Sequence, residues 1–357
     1  MRRTDPVSLR LLAGLGVMLA TLLASTPARA QKPSLPVGTA TGTPVKCPAG
    51  GVSGSCWSLN VACPNVTPFL PYDATLKETV PSGTSLGTVI FIIGGGGTSF
   101  YDTHFTYGTS LINDVVQEGF TAVQIEFDNH LAGWLSGPAL DGNGPLSLAC
   151  LPSTVIQWTH DNLLTTGTPL CATGNSGGSA AIAYALSQYG LGSILSMVEE
   201  TSGPEFSRLD HGCAPHKQYM ACATCGGQTM LSETFGLTNA ENFLDPAWDG
   251  DKDTTPDSGD LCSQGILGST ANAALFHHDS ILSDTSPPTL SFPTDVRIIF
   301  GALDTSGSAI PEGLEWATAI TSKTTIVCLP GVGHELASYQ DGANQINSDV
   351  QAYCKLQ

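Results

Sequence analysis

The stretch Gly174-Asn175-Ser176-Gly177-Gly178 decides how the rest of the chain is interpreted. A short apolar run at 169–173 precedes it and predicts a buried strand, and residues 179–189 after it predict a helix. A sharp turn between a strand and a helix lifts a serine hydroxyl above the edge of a sheet. Side chains at the flanking glycines would collide with the neighbouring strand and helix, because this turn is tight and strained. Ser176 is therefore the candidate nucleophile.

The first 30 residues have the pattern of an export signal. A basic start at Met1-Arg2-Arg3 is followed by an apolar run over 11–24 and by Ala28-Arg29-Ala30. The apolar run is shorter than the roughly 20 residues that a membrane span needs. The sequence predicts a signal peptide over 1–30, cleaved after about Ala30, and a secreted or periplasmic protein without a membrane span.

Charge and composition exclude one class of partner. The formal net charge is −18, whereas only 12% of the residues are charged and 41% are hydrophobic. Such an acidic surface repels phosphate backbones, so we expect no nucleic-acid partner. The hydrophobic content is typical of a folded chain and not of a disordered one.

Eleven cysteines in an exported chain predict disulfides. The odd number leaves at least one thiol without a partner in the chain, and we expect this to be Cys171, inside the strand before Ser176. Neighbourhood in the sequence suggests pairing of Cys328 with Cys354, and pairing within the group from Cys213 to Cys262. The sequence does not fix the connectivity.

The organisation along the chain changes at about residue 80. Residues 31–80 are rich in proline, glycine and threonine and predict an irregular N-terminal segment. Alternating strands and helices follow over 81–357, which predicts a mostly parallel central sheet flanked by helices. Strands are expected at 88–93, 121–127, 169–173, 193–198, 295–300 and 324–329, and helices at 109–117, 153–163, 179–189 and 343–353.

The alternation stops between residues 203 and 294. This stretch is rich in cysteine and aspartate and enters after the strand that follows Ser176, above the edge of the sheet where Ser176 is expected. It is interpreted as an insertion that forms a cap over the site. A rigid decoration without a gating role is the alternative.

A serine hydroxyl needs a base and an orienting carboxylate to become a nucleophile. Asp304 and His334 each follow a predicted strand within a glycine-framed turn, at the edge where loops of a parallel sheet meet. Glu199 and Glu200 are the alternatives to Asp304. The other histidines have no such setting and are expected on the surface or in packing roles: His104, His130, His160, His211, His216, His277 and His278.

Residues from about 85 to 357 resemble the α/β-hydrolase superfamily. The resemblance rests on the serine turn, the late Asp and the late His, in the order Ser, Asp, His. It implies an α/β-hydrolase fold in which Ser176 attacks a carbonyl carbon, His334 accepts and returns the proton, and Asp304 holds the imidazole.

Four consecutive glycines, 94–97, follow the first predicted strand of the hydrolase-like region. They could form a flexible turn. Alternatively, a glycine run lets backbone N–H groups approach a substrate oxygen, as an oxyanion hole requires. The run resembles the H-G-G-G segment of lipases and esterases, with Ile93 in place of the histidine. We expect the oxyanion hole to comprise Gly95, Gly96 and the N–H of Gly177.

Two metal sites are conceivable. Five aspartates have the spacing of a calcium-binding loop, although Thr254 and Pro256 break the pattern, and a solvated acidic loop is the favoured alternative. The calcium candidates are Asp249, Asp251, Asp253, Asp257 and Asp260. Cys222 and Cys225, with Cys213, Cys262 and two nearby histidines, could be imagined as a zinc site, but disulfides are favoured in an exported chain.

These patterns together predict a secreted serine hydrolase that cleaves a small-molecule or polymeric carboxylic ester and needs no cofactor. A serine peptidase or acyltransferase of the same fold is one alternative. A non-catalytic binding protein on a hydrolase scaffold is another. The identity of the ester cannot be inferred from fold analogy.

Overall fold

The computed structural model describes most of the chain after the predicted signal peptide. The described residues are 34–64, 66, 72–127, 132–136, 143–215, 218–220, 230–232, 234–249, 260–286, 289–306 and 308–356. The signal peptide predicted over 1–30 lies outside them. Within this part of the chain, no helix is both long enough and apolar enough for a membrane crossing.

The described chain forms strands and helices with the following bounds. The strands are β1 (Thr39–Val45), β2 (Ser55–Ala62), β3 (Tyr72–Thr79), β4 (Thr88–Ile92), β5 (Thr121–Phe127), β6 (Leu170–Asn175), β7 (Leu195–Thr201), β8 (Gln218–Met220), β9 (Met230–Ser232), β10 (Asp295–Gly301) and β11 (Thr324–Leu329). The helices are α1 (Tyr101–His104), α2 (Gly108–Gln117), α3 (Gly144–Leu148), α4 (Cys150–Asn162), α5 (Gly177–Ser187), α6 (Leu209–Gly212), α7 (Leu237–Asn239), α8 (Pro246–Asp249), α9 (Leu261–Ile266), α10 (Ala273–Asp279), α11 (Ala309–Ala319) and α12 (Gln340–Tyr353).

Nine strands form one sheet in the order β1-β2-β3-β5-β4-β6-β7-β10-β11. The six strands from β5 to β11 in this order are parallel, whereas β1, β2 and β3 are antiparallel to their neighbours. The carboxyl ends of the parallel strands therefore meet at one edge, where the turns after β4, β6, β7, β10 and β11 lie together. This confirms the mostly parallel sheet that the sequence predicts.

The sheet is covered by helices on both faces. Successive residues of β4 point to opposite faces, with Ile90 and Ile92 in the core against α4, α5 and α11, and Val89 and Phe91 in the core against α2 and α12. Because both faces are buried, the strand reads as one continuous apolar run. This burial fixes the parallel strands as the rigid base of the site.

The expectation of an irregular segment over 31–80 is wrong. Strands β1, β2 and β3 extend the sheet by antiparallel pairing. Strand β1 is mostly exposed, so it has no apolar periodicity, whereas Leu59 of β2 and Leu76 of β3 are fully buried in the core beside α4. An exposed, threonine-rich edge strand such as β1 lacks the apolar run by which a strand is recognised in a sequence.

The insertion over 203–294 holds short helices and the hairpin β8–β9, in place of strands of the main sheet. Its apolar side chains join the core on the α5 side, among them Phe206 and Phe235. Two side chains of the α5 region bond to its backbone: Tyr184 Oη donates to the carbonyl of Asp279 at 2.6 Å, and Gln188 Nε2 donates to that of Ile281 at 2.7 Å. The insertion is thus packed on the hydrolase-like core.

Four disulfides each join two described cysteines. They are Cys47–Cys56, Cys63–Cys150, Cys171–Cys354 and Cys213–Cys262. The expectations of a free Cys171 and of a Cys328–Cys354 pair are therefore wrong, because β6 lies beside the end of α12 and brings Cys354 to Cys171. Cys328 is also disulfide-bonded. Pairing inside the group from Cys213 to Cys262 is confirmed.

Candidate active site

The turn between β6 and α5 has the backbone conformation that a nucleophile elbow requires. Ser176 has φ +55° and ψ −120°, a conformation that is strained for any residue with a side chain. Its N–H donates to the carbonyl of Thr201 at the end of β7 at 2.8 Å, and its carbonyl accepts from Ala180 N at 3.1 Å. These bonds hold the strained turn between the neighbouring strand and its own helix.

The glycines of the elbow are required by direct backbone contacts. A Cβ on Gly174 would lie 2.5 Å from the backbone of Gly178, and one on Gly178 would lie 2.5 Å from the carbonyl oxygen of Ile93. A Cβ on Gly177 would lie 2.2 Å from the carbonyl oxygen of Gly95. The steric reason for these glycines that the sequence indicates is therefore present in the structure.

Asn175 connects the elbow to two other loops of the site. Its Oδ1 accepts hydrogen bonds from Thr201 Oγ1 at 3.0 Å and from Leu336 N at 3.4 Å. Leu336 lies two residues after His334, so the side chain beside Ser176 also fixes the loop that carries the imidazole. Asn175 is 2% exposed, which makes both bonds part of the buried framework.

Asp304 and His334 are brought together by close packing of the turns after β10 and β11. A Cβ on Gly301 would lie 2.3 Å from the carbonyl oxygen of Gly333, and Leu303 N donates to the carbonyl of Val332 at 2.8 Å. This approach places Oδ2 of Asp304 at 2.9 Å from Nδ1 of His334. The ring is thereby oriented with Nδ1 toward the carboxylate and Nε2 free to act elsewhere.

Ser306 joins this pair as a third member. Its N–H donates to Oδ1 of Asp304 at 2.9 Å, and its hydroxyl lies 2.5 Å from the same oxygen and 2.5 Å from Nδ1 of His334. The two bonds from Ser306 therefore stabilise the carboxylate of Asp304. The contact of the Ser306 hydroxyl with Nδ1 also limits the rotation of the His334 ring.

The pKa values of this group depend on the balance between burial and charge. Burial would raise the pKa of Asp304, but hydrogen bonding and the charge of His334, with the bonds from Ser306, lower it below its usual value. Burial would lower the pKa of His334, but the hydrogen bond and charge of Asp304, with the charges of Glu205 and Glu335, raise it. The pair therefore stabilises an imidazolium next to a carboxylate.

Ser176 and His334 line one cavity of about 400 Å³. Its floor is formed by the glycine run and the elbow, and the insertion contributes aromatic and polar side chains on another side. The lining includes Gly94, Gly95, Gly96, Asn175, Ser176, Gly177, Glu205, Phe206, Phe235, Asn239, Phe243, Leu244, Ser306 and His334. The cavity therefore joins the elbow, the imidazole and the insertion.

The glycine run after β4 presents free donors to this cavity. Gly95, Gly96 and Gly177 all line it, and among the described residues no acceptor is bonded to the N–H of any of the three. Gly95 has φ +57°, and a Cβ on Gly96 would lie 1.5 Å from the carbonyl oxygen of Ala132. The run is thus a closely packed loop whose N–H groups are left for an oxygen ligand.

Glu205 is a further carboxylate of the cavity, and no sequence pattern predicts it. Burial raises the pKa of Glu205, and the charge of His334 and a hydrogen bond from the Ser176 hydroxyl offset part of the rise. The sequence predicts the end of the strand at residue 198, whereas β7 continues to Thr201. The loop after β7 therefore begins later than the sequence predicts, and this loop carries Glu205 to the cavity.

The alternative acids Glu199 and Glu200 lie inside β7 and do not line the cavity. Both are fully buried. Burial raises the pKa of each well above its usual value, and the charge of Asp349 raises that of Glu199 further. Trp316 Nε1 donates to Glu200 at 2.6 Å. Of the candidate acids, only Asp304 contacts His334.

The other histidines are placed as follows. His104 lines the cavity at an exposed position, with Nε2 at 3.7 Å from Glu335. His211 bonds to Glu315 at 3.1 Å, and His160 and His278 pair with neighbouring aspartates. His130 and His216 lie outside the described residues.

The metal hypotheses fall largely on residues that the structure does not describe. Asp251, Asp253 and Asp257 lie outside the described residues, and Asp260 is buried directly before α9. Calcium therefore stays a hypothesis. Cys213 and Cys262 bond to each other, so neither is available for zinc. In the described parts of the chain, no group of three or more His, Cys, Asp or Glu side chains could hold a metal ion.

Comparison with solved structures identifies the fold of the chain. No family model matches the chain, and no curated protein matches it in sequence. Among solved structures it is similar to an esterase from Pyrobaculum calidifontis, at 14% identity and a TM-score of 0.50 over 90% of this chain and 88% of that chain. It is also similar to carboxyl esterase 2 from the mycorrhizal fungus Tuber melanosporum, at 14% identity and a TM-score of 0.49 over 90% and 91%. With its parallel sheet and its serine elbow, the chain has the α/β-hydrolase fold.

Proposed function

We propose that the chain is an exported serine hydrolase that cleaves carboxylic esters through an acyl-enzyme intermediate. The observation that carries this proposal is the shared cavity. It holds a serine on a strained elbow, an imidazole bonded to a buried carboxylate, and three backbone N–H groups without acceptors.

Each group has a role in acyl transfer. Ser176 Oγ attacks the ester carbonyl carbon while Nε2 of His334 accepts its proton, and Asp304 stabilises the imidazolium. The carbonyl oxygen becomes an oxyanion that accepts hydrogen bonds from Gly95, Gly96 and Gly177. The imidazolium then protonates the leaving alkoxide, and an acyl-serine remains.

The second half of the reaction reverses these roles. His334 takes a proton from water, the hydroxide attacks the acyl carbon, and the tetrahedral intermediate collapses with return of the proton to Ser176. The products are a carboxylic acid and an alcohol. All the groups required belong to this chain.

The insertion supplies the walls of the substrate cavity in this proposal. Phe206, Phe235 and Phe243 make one side apolar, as a site for an acyl or alcohol group requires. The disulfides support export, because such bonds persist outside the reducing cytoplasm.

A fluorophosphonate probe and a panel of p-nitrophenyl esters of increasing chain length test the proposal. We expect the probe to label Ser176, and we expect Ser176→Ala to abolish both labelling and hydrolysis. A peptide amide substrate of similar size separates an esterase from a peptidase. Wild-type protein that resists the probe and hydrolyses no ester would refute the proposal and favour a non-catalytic binding protein.

A further inference from the structure

The cavity around Ser176 has an unbalanced charge. Its lining side chains include the carboxylates of Glu205 and Glu335, and Asp304 lies directly behind His334. No Lys or Arg is among the described residues that line it; the cationic candidates are the imidazoles of His104 and His334. A concave site with this charge attracts cations and repels carboxylates.

Hydrogen bonds fix the backbone around Glu205. Its carbonyl accepts from Ser207 N at 2.9 Å, and the next carbonyl, that of Phe206, accepts from Ile281 N at 2.9 Å. Arg208 N donates to the carboxylate of Glu312. The backbone of the turn is thus bonded on both sides, and the Glu205 carboxylate itself accepts a hydrogen bond from the Ser176 hydroxyl.

Glu205 lacks a permanently cationic partner among the described residues. It has no ion pair with Lys or Arg, and the charged groups that act on it are His334 and Asp304. The side chain is partly exposed to the cavity. Apart from the hydrogen bond from the Ser176 hydroxyl, this carboxylate is open to a ligand.

Aromatic rings line the same cavity as Glu205. Phe206 is its neighbour in sequence and packs edge-to-face on Phe235, with ring centroids 6.0 Å apart. Phe243 lines the cavity from the π-helical turn at Ala240–Leu244. Aromatic rings together with a carboxylate bind ammonium groups, because the negative face of each ring's quadrupole and the charge of the carboxylate both attract a cation.

We propose that this cavity binds the ammonium group of a cationic ester, with Glu205 as its counter-ion and Phe206, Phe235 and Phe243 as its apolar surround. The inference rests on the proposed ester hydrolysis and names its substrate class. The ester carries an ammonium group in the alcohol part, a few bonds from the scissile carbonyl.

A pair of isosteric substrates tests the charge alone. Acetylthiocholine and 3,3-dimethylbutyl thioacetate have the same shape, and only the first is cationic. At pH 8 and low ionic strength, we expect kcat/KM of the wild-type protein to favour the cation by at least about 10-fold, and Glu205→Gln to reduce this preference at least about 10-fold. The ratio of the two substrates cancels any general loss of activity.

Glu241→Gln is the matched control. Glu241 lies on the same π-helical turn as Phe243 but does not line the cavity, so this variant removes one negative charge from the same segment. We expect it to keep the wild-type ratio. An equal effect of Glu205→Gln and Glu241→Gln on the ratio would overturn the inference.

Binding provides a second readout that needs no catalysis. Titration calorimetry of Ser176→Ala with choline and with the neutral isostere 3,3-dimethylbutan-1-ol should show tighter binding of choline, lost in the double variant with Glu205→Gln. Choline binding that depends on Glu205, in a protein that hydrolyses no ester, would refute the proposed function and leave the cation site. Hydrolysis of both thioesters at similar rates, with no preference for choline, would refute the cation site and leave the hydrolase.

Discussion

The carboxylate of Glu205 and the imidazole of His334 are electrostatically coupled across the cavity. The charge of Glu205 raises the pKa of His334, and the charge of His334 lowers that of Glu205. The two residues come from different loops, one after β7 and one after β11, and both face the cavity of Ser176. The proposed base therefore titrates under the influence of a second carboxylate besides Asp304.

This coupling predicts the pH dependence of the reaction. Because the neutral imidazole accepts the proton, activity falls as His334 becomes protonated. The pKa of His334 is raised, so we expect the acidic limb of kcat/KM for a neutral ester to have its midpoint above about 6.5. Glu205→Gln removes a charge that favours the imidazolium and should lower this midpoint.

The control for this shift is again Glu241→Gln, whose charge lies outside the cavity lining. Its pH profile should match that of the wild-type protein. A midpoint that stays in place or rises in Glu205→Gln would contradict the coupling.

The candidate acids can be separated by amide substitutions. Asp304→Asn should reduce kcat by about 10²–10⁴, because the amide no longer stabilises an imidazolium. Glu200→Gln should keep kcat within about threefold, since Glu200 lies inside β7 and accepts a bond from Trp316 that an amide oxygen also accepts. A larger loss in Glu200→Gln than in Asp304→Asn would reverse the assignment.

Glu200→Gln should also change how stability depends on pH. The folded-state pKa of Glu200 is raised by burial, so its favourable contribution is present at low pH and is lost as pH rises through the folded pKa. The amide does not ionise. We expect urea unfolding at pH 6 and pH 9 to show a smaller loss of unfolding free energy in the variant than in the wild-type protein.

Ser306→Ala tests the third member of the Asp304–His334 group. Two bonds from Ser306 help to keep Asp304 ionised, and only the backbone bond survives the substitution. A lost hydrogen bond to a charged group corresponds to about 1.5–3 kcal/mol, so kcat should fall about 10- to 100-fold with little change in KM. Ser110→Ala, at an exposed position on α2, is the control, and equal kinetics of the two variants would exclude a role for the Ser306 hydroxyl.

The residues proposed for catalysis could be found from the sequence because short local patterns carry them. Ser176, Asp304 and His334 each follow a strand of the buried sheet and lie among glycines, and both features show in a single sequence. Their approach to one another follows from the parallel strand order.

Other features of the site could not be found in this way. Glu199 and Glu200 interrupt the apolar run of β7, so the sequence predicts an end of the strand before these residues. The loop that carries Glu205 is therefore not recognised as part of the site. The pairing of Cys171 with Cys354 joins residues 183 apart and depends on where α12 packs. Ser306 has no signal of its own, because its role arises from a turn that places a hydroxyl between two other side chains.

Gly177→Ala tests the oxyanion segment. The new Cβ would meet the backbone of Gly95, with the carbonyl oxygen at 2.2 Å and the nitrogen at 3.2 Å, so the glycine run must move. Displaced N–H groups no longer match the oxyanion, and kcat should fall by about 10²–10³. Gly83→Ala is the control, since nothing lies within 4 Å of a Cβ there. Wild-type kcat in Gly177→Ala would refute this oxyanion hole.

The Cys171–Cys354 disulfide should contribute more to the free energy of unfolding than the Cys47–Cys56 disulfide. It links residues 183 apart and both of its cysteines are buried, whereas Cys47–Cys56 links residues 9 apart near the edge strand β1. In the chain-entropy description, the longer loop adds about 2–3 kcal/mol to the free energy of unfolding relative to the shorter one. We therefore expect Cys171→Ala with Cys354→Ala to lower the unfolding free energy in urea by about that much more than Cys47→Ala with Cys56→Ala.

Mild reductant should open Cys47–Cys56 first in the folded protein, because a buried disulfide is inaccessible to thiolate attack. Equal destabilisation by the two double variants would show that packing around α12, and not loop closure, holds the C-terminus against β6.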